Sequence, residues 1–256
     1  MTMPTRNDTG WLRCFHPAPD SPVRLVCFPH AGGSASFYFA FSKALAGHAE
    51  VLAVQYPGRQ DRWAEHRVED LRELARGAFE ALKPYTDRPL ALFGHSMGST
   101  AAFETARLLE QEAGITPVVL FASARRAPSV PQRGRYLHTA GDDVLLADLR
   151  AMSGTDSRLL AEDDLLREVL AVLRSDYKAG ETYRYLSGPD LSCPITAYVG
   201  DDDPKALVEE VRLWSRHTSG GFSLTVFPGG HFYLKDQAET VADAVSEQLM
   251  TLNREA

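Results

Sequence analysis

Ser96 lies in a sequence pattern that is typical of an activated serine nucleophile. Residues 90–98 read LALFGHSMG, an apolar run that leads into Gly-x-Ser-x-Gly and then into small residues. Between a strand and a helix, this pattern exposes the serine hydroxyl on a strained turn, and the flanking glycines remove side chains that would clash. The helix that follows offers partial positive charge and a backbone N–H, that of Met97, to an oxyanion. The motif therefore predicts acyl transfer with Ser96 as the nucleophile.

His231 is the candidate general base, because a serine hydroxyl is a poor nucleophile without one. It lies in the glycine turn PGGHF that follows the last apolar run, residues 224–227. This placement keeps the chain order serine, acid, histidine. The other seven histidines lack this placement, and we expect five of them to be solvated or structural: His16, His48, His66, His138 and His217. His95 occupies the variable position of the serine motif.

The acid that orients His231 is expected after one of the two preceding apolar runs. No carboxylate follows residues 118–122 until Asp142, so we exclude that position. After residues 195–199 the chain reads GDDDP, which offers Asp201, Asp202 and Asp203. We predict that Asp203 holds the imidazole, with Asp202 as the next candidate, because an acid a few residues beyond the glycine turn reaches back to it. At least two of the three then belong to a solvated turn or to a helix cap before Pro204.

A second oxyanion donor is expected in the loop FPHAGGSA, residues 28–35, where glycines permit close approach of the backbone. We assign it to the Ala31 N–H, with Gly32 as the near alternative. The other interpretation is a glycine loop that simply turns into the next helix. The loop at residues 28–35 is not a phosphate-binding loop, since no Gly-Lys-Ser/Thr follows it.

The elements that position these residues alternate between strand and helix. Short continuous apolar runs indicate strands buried on both faces of a parallel sheet, at residues 23–28, 51–55, 90–93, 118–122, 195–199 and 224–227. Helical patterns cover residues 68–82 and 99–111, and the second ends near Gly114. Together with the serine motif, this alternation predicts an α/β-hydrolase fold, with a mostly parallel sheet flanked by helices, in a single domain over residues 1–256.

The alternation breaks between residues 122 and 193, where two helical patterns, 143–152 and 162–177, replace a strand. We expect a helical lid over about residues 126–190. Its apolar residues outnumber those that two surface helices need for packing, so some should line an acyl channel. They are Val144, Leu145, Leu149, Met152, Leu165, Leu166, Val169, Leu170 and Leu173.

Composition excludes several classes of function. The 256 residues are 44% hydrophobic and carry a formal net charge of −7, which fits a globular protein and argues against nucleic acid as the main partner. No apolar stretch is long enough for a signal peptide or a membrane span. Cys14, Cys27 and Cys193 are widely spaced, which favours reduced thiols and a cytoplasmic location. Arg125, Arg126, Arg133 and Arg135 form a local basic cluster that could face an acidic partner or simply be solvated.

Six segments between about residues 25 and 234 resemble, in order, the stand-alone type II thioesterases of polyketide and nonribosomal peptide assembly lines. They are FPHAGGSASFY, QYPGRQDR, GHSMGSTAAFE, RSDYKAGETYRY, PITAYVGDDDP and PGGHFYL. The resemblance implies hydrolysis of acyl groups from the phosphopantetheine arm of acyl or peptidyl carrier proteins, which clears stalled or mis-primed chains. It implies Ser96, Asp203 and His231 as the triad, Met97 and Ala31 as oxyanion donors, and a helical lid. No metal or redox cofactor is expected.

Three alternatives stay open on sequence alone. A general carboxylesterase or lipase shares the triad and differs in the lid. A non-catalytic binding protein of the same fold need not retain serine, acid and histidine together. A chain-releasing thioesterase domain cut from a synthase is the third; the polar start and self-contained ends favour a discrete protein.

Overall fold

The framework of the protein is a seven-stranded sheet, in a computed structural model that describes residues 10–134, 136–151 and 163–255. The strands are β1 (Leu12–Arg13), β2 (Arg24–Phe28), β3 (Glu50–Val54), β4 (Leu90–His95), β5 (Val119–Ser123), β6 (Ile195–Gly200) and β7 (Phe222–Phe227). Their order is β1-β3-β2-β4-β5-β6-β7, and every pair is parallel except β1 with β3. The predicted α/β fold is confirmed. The sequence does not predict β1, because two residues show no periodicity.

Helices connect the strands and cover both faces of the sheet. They are α1 (Phe39–Leu45), α2 (Leu71–Leu82), α3 (Met97–Ala113), α4 (Asp142–Ala151), α5 (Asp163–Thr182), α6 (Val208–Arg212), α7 (Tyr233–Asp236) and α8 (Ala238–Glu255). Helix α3 ends at Gly114 in the left-handed conformation, as the glycine predicts. Helix α2 begins later than residue 68, because the Asp70 carboxylate accepts hydrogen bonds from Arg72 N–H and Glu73 N–H and caps the helix there.

The core consists of two apolar layers, one on each side of the sheet. Successive side chains of a strand point to opposite faces. Val26 and Leu92 therefore pack in the layer beneath α2 and α3, whereas Leu25 and Phe93 pack in the layer with residues of α1 and α8. This explains why β2, β3, β4, β5 and β6 read as continuous apolar runs. Strand β7 differs from the prediction: it lies at the sheet edge, its first four residues alternate between partly buried and exposed, and only Phe227 is buried.

Helices α4 and α5 form the segment between β5 and β6, as the sequence predicts. Leu145, Leu170 and Leu173 pack together in a small apolar cluster of their own, with Leu149 against it. Met152 and Glu162, at the predicted ends of these helices, lie outside the described residues, as does Arg135. No helix among the described residues is long and apolar enough to cross a membrane.

Candidate active site

Ser96 stands on a strained turn at the carboxyl end of β4. Its φ of 55° and ψ of −120° lie outside the regions that non-glycine residues prefer. The turn is fixed by a hydrogen bond of 2.8 Å from Ser96 N–H to the Ser123 carbonyl of the neighbouring strand. A methyl group on Gly94 would lie 2.2 Å from the Gly98 carbonyl oxygen, and one on Gly98 would lie 2.1 Å from that of Phe28. Both glycines are therefore required by backbone contacts rather than by flexibility.

His231 links the serine to a carboxylate. Its Nε2 lies 2.8 Å from Ser96 Oγ, and its Nδ1 lies 2.9 Å from Asp203 Oδ2. Histidine and acid are both buried. This geometry fits a neutral imidazole that carries its proton on Nδ1 and accepts the serine proton at Nε2.

The loops after β6 and β7 are tied together, and this brings Asp203 to His231. Asp201 N–H and Asp202 N–H donate to the carbonyls of Phe227 and Gly229 at 2.9 and 3.0 Å. The Asp201 carboxylate in turn accepts from Gly229 N–H at 2.8 Å. The side chains of Asp201 and Asp202 are exposed, whereas that of Asp203 is buried against the imidazole. Of the three consecutive acids, only Asp203 contacts His231.

The two predicted oxyanion donors lie at the same cavity as Ser96. Met97 is the first residue of α3, a position whose N–H has no acceptor within its own helix. Ala31 lies in the loop after β2 and lines the cavity. The alternative donor, Gly32, is already engaged, because its N–H donates to Asp176 Oδ2 at 2.7 Å. Ala31 is therefore the better candidate of the two.

Two further histidines surround the imidazole of His231. The ring centroids of His95 and His231 are 5.6 Å apart, and those of His30 and His95 are 6.0 Å apart. Burial and then the charge of His231 lower the pKa of His30 to about 3. The same causes, with His30 in addition, lower the pKa of His95 well below its usual value. Both rings are thus neutral near pH 7 and add no positive charge beside the base.

A cavity of about 750 Å³ opens from Ser96 and His231 toward α4 and α5. Its apolar wall includes Leu149 of α4 together with Val169 and Leu173 of α5. Charged and polar side chains also border the cavity, among them Arg125, Asp148, Tyr177, Glu181 and Lys205. A space of this size and mixed lining suits an acyl chain with polar substituents.

The described members of the predicted basic cluster all border the cavity, but they differ in burial. Arg125 is partly buried, and it lines the cavity together with Arg126 and Arg133. Burial, and then Arg126, lowers the pKa of Arg125 to about 10. Arg126 is partly buried beside Gln132. Arg133 is exposed and forms an ion pair of 2.9 Å with Glu210.

Some residues near the site are not found by sequence reasoning. Asp176 and Arg59 lie in segments that carry the family resemblance but no motif of their own, and Lys205 follows the acid by two residues. Lys205 N–H donates to Asp203 Oδ1 at 2.9 Å, which helps to fix the acid. A buried ion pair between helix and loop has no local sequence signal. Among the described residues, no three His, Cys, Asp or Glu side chains are grouped to hold a metal ion.

A mostly parallel sheet, a serine on a strained turn after β4, and a histidine after β7 define an α/β-hydrolase. The family model of the thioesterase domain matches residues 23–249. The chain therefore belongs to the thioesterase family and is a thioester hydrolase.

Individual relatives narrow this assignment. Thioesterase PikA5 of Streptomyces venezuelae is 52% identical over 249 residues, which span 96% of this chain and 88% of that protein. The solved structure of BorB, the type II thioesterase from the borrelidin biosynthetic cluster, has a TM-score of 0.87 at 48% identity and covers 93% of this chain and 97% of BorB. YbtT, a type II thioesterase from the yersiniabactin NRPS/PKS pathway, has a TM-score of 0.83 at 29% identity, over 94% and 99% of the two chains. The chain is thus a type II thioesterase.

Proposed function

We propose that this thioesterase hydrolyses acyl groups from the phosphopantetheine arm of acyl or peptidyl carrier proteins, and so clears aberrant chains from a polyketide or nonribosomal peptide assembly line. The observation that carries the proposal is the line Asp203–His231–Ser96 at the mouth of the cavity of about 750 Å³. The relationship to BorB and YbtT supports the choice of pathway.

In the proposed mechanism, Ser96 Oγ attacks the thioester carbonyl while His231 Nε2 takes its proton. Asp203 holds the imidazole in the required tautomer and stabilises the imidazolium. The N–H groups of Met97 and Ala31 donate to the developing oxyanion. The imidazolium then returns the proton to the pantetheine sulfur, which leaves as a thiol. Water deprotonated by His231 attacks the acyl-enzyme, and the free acid departs as Ser96 is reprotonated.

The proposed lid is the segment of about residues 126–190 within a single domain over residues 1–256. Helices α4 and α5 contribute Leu149, Val169 and Leu173 to the cavity wall, which supports a role in accommodating the acyl chain. Among the described residues of the basic cluster, Arg133 is the one with an exposed side chain. We propose it as a contact for an acidic carrier protein. We propose a cytoplasmic location, because Cys14, Cys27 and Cys193 are free thiols.

The test is hydrolysis of a panel of acyl-carrier proteins, read by mass spectrometry of the pantetheine arm. We expect the wild-type enzyme to release the acids, and Ser96→Ala to be slower by about 10³-fold or more with unchanged thermal stability. Acyl oxygen esters in the same assay distinguish a thioesterase from a general carboxylesterase. A fluorophosphonate probe, which labels an active serine, distinguishes an enzyme from a non-catalytic protein of the same fold. Undiminished turnover by folded Ser96→Ala would refute the serine mechanism.

A further inference from the structure

Three of the segments that carry the resemblance contain no member of the proposed triad, yet they meet in one buried network. They are FPHAGGSASFY after β2, QYPGRQDR after β3 and RSDYKAGETYRY in and after α5. The first supplies Gly32, the second Arg59 and the third Asp176. These residues are distant in sequence, so tertiary contacts rather than local structure bring them together.

Asp176 is the centre of this network. Its side chain is fully buried on α5, and its Oδ2 accepts a hydrogen bond from Gly32 N–H at 2.7 Å. Its Oδ1 is paired with the buried guanidinium of Arg59. Arg59 also donates to the Pro57 carbonyl at 2.5 Å and lies over the Tyr56 ring, 5.3 Å from its centroid. The carboxylate thus joins α5 to two separate loops.

The loop that Asp176 holds is the one expected to bind the oxyanion. Gly32 follows Ala31 directly and has a φ of +77°, a left-handed conformation that glycine adopts without strain. A methyl group on Gly32 would lie 3.3 Å from Leu173 Cδ1. Leu173 and Asp176 are three residues apart and occupy the same face of α5. Helix α5 therefore packs on the loop with Leu173 and anchors it with Asp176.

The ion pair is also needed for electrostatic reasons. A lone carboxylate on the wall of the same cavity as Ser96 would repel a developing oxyanion in a low-dielectric site. Arg59 neutralises that charge while the carboxylate keeps its hydrogen bond to Gly32. A neutral hydrogen-bond acceptor at residue 176 would lack only the negative charge, whereas an apolar residue would also lack the hydrogen bond from Gly32 N–H.

We propose that Asp176 is a positioning residue for catalysis: by accepting from Gly32 N–H it fixes the loop so that Ala31 N–H points at the oxyanion. The proposal rests on the oxyanion role given to Ala31 in the proposed function. It makes α5 part of the catalytic framework as well as a wall of the cavity, since an α5 displaced from the loop would leave the oxyanion hole with Met97 alone.

Two double variants test the anchor separately from the ion pair. Asp176→Asn/Arg59→Gln removes both charges and keeps an oxygen that accepts from Gly32 N–H. Asp176→Leu/Arg59→Met removes both charges and the acceptor, and apolar replacement of a buried ion pair is commonly tolerated by the fold. We expect the first variant to retain kcat within about fivefold of wild type and the second to lose about 30-fold or more, at similar KM, because an oxyanion donor contributes about 10²–10³ in kcat.

An inhibitor provides a readout that a merely structural role would not change. An acyl trifluoromethyl ketone forms a hemiketal with the serine and places its oxyanion in the hole, whereas the matching acyl amide binds without reacting. The Asp176→Leu/Arg59→Met variant should bind the ketone more weakly by the factor lost in kcat and bind the amide as wild type does. Glu104→Leu/Arg107→Met is the matched control: Glu104 is a buried carboxylate of α3 that pairs with Arg107 at 3.3 Å, and neither residue is among those that line the cavity.

The outcomes separate the two proposals. Equal kcat in both double variants, or equal weakening of ketone and amide, would overturn the role of Asp176. Should the Asp176→Leu/Arg59→Met variant fail to fold, Asp176→Ala/Arg59→Gln takes its place, because alanine also lacks the acceptor, and a kcat equal to that of Asp176→Asn/Arg59→Gln would overturn the role as well. Failure of the proposed function has a different signature, namely a wild-type enzyme that does not hydrolyse acyl-carrier proteins or does not need Ser96.

Discussion

The carboxylate of Asp203 faces the imidazole of His231 with both oxygens, which lie 3.0 and 2.9 Å from Nδ1. Its two neighbours along the chain do not share this contact. Asp201 caps the turn after β7 through Gly229 N–H, and the Asp202 side chain is exposed. Three consecutive residues of one type thus have three different environments, because the backbone hydrogen bonds between the two loops set the direction of each side chain.

This arrangement predicts unequal effects of charge removal. Asp203→Asn should reduce kcat by about 10³- to 10⁴-fold, because the amide no longer holds the Nδ1-protonated tautomer of His231. Asp201→Asn and Asp202→Asn should remain within about threefold of wild type, since neither carboxylate reaches the imidazole. Steady-state kinetics on one acyl-carrier protein compare the three variants. A severe loss in Asp202→Asn instead would mean that the acid is shifted by one residue.

The serine turn predicts an asymmetry between two glycines. Gly98→Ala should destabilise the protein by at least about 3 kcal/mol or prevent folding, because the new methyl group would meet backbone atoms of Phe28 and Pro29 that cannot move away. Gly47→Ala is the control, since a methyl group there meets nothing within 4 Å. It should stay within about 0.5 kcal/mol of wild type. Urea denaturation measures both, and equal stability of the two variants would contradict the crowded turn.

The histidines beside the base predict a pH dependence of stability. His95 has a pKa far below its usual value in the folded protein, mainly because it is buried. The unfolded chain binds a proton at this residue below about pH 6.5 whereas the folded protein does not, so stability falls as the pH falls from there. His95→Phe keeps an aromatic ring and removes the titration. Its free energy of unfolding should decline less steeply than that of wild type, by up to about 1.4 kcal/mol per pH unit.

Urea denaturation at about pH 7.5 and about pH 5.5 provides the comparison. The Ser123 hydroxyl loses His95 Nδ1 in this variant but keeps the Tyr233 hydroxyl at 2.6 Å, so the polar group is not stranded. Parallel slopes for wild type and His95→Phe would show that His95 is not the group that titrates.

The sequence predicts well what is encoded locally. Ser96 and His231 each follow an apolar run and occupy a glycine turn, and parallel strands bring such turns to one edge of the sheet. Asp176 could not be found in this way, because its partner Gly32 is 144 residues distant and a single aspartate in a helix has many ordinary roles. The sequence also does not indicate the direction of the Arg125 side chain. Arg125 follows Ala124, whose φ of 52° is unusual for a non-glycine residue and is not visible in the residue type.

The position of α4 and α5 at the cavity predicts that turnover depends on acyl-chain length. Met152, one of the apolar residues from which the acyl channel was expected, lies outside the described part of the chain. Val169 and Leu149 of the same set line the cavity. Because the cavity wall is packed side chains, added volume there shortens the space that an acyl chain can occupy.

Val169→Trp should therefore lower kcat/KM for long acyl chains, such as octanoyl, by at least about tenfold relative to acetyl, since loss of space for a few methylenes is worth that much. Val172→Trp is the matched control, because Val172 lies on the same helix, three residues on, and is not among the residues that line the cavity. Its ratio of octanoyl to acetyl turnover should equal that of wild type. The measurement is competition between the two acyl-carrier proteins in one reaction, which cancels differences in the amount of active enzyme. If both tryptophan variants kept the wild-type ratio, α5 would not limit chain length, and the selectivity of the enzyme would have to come from the other walls of the cavity.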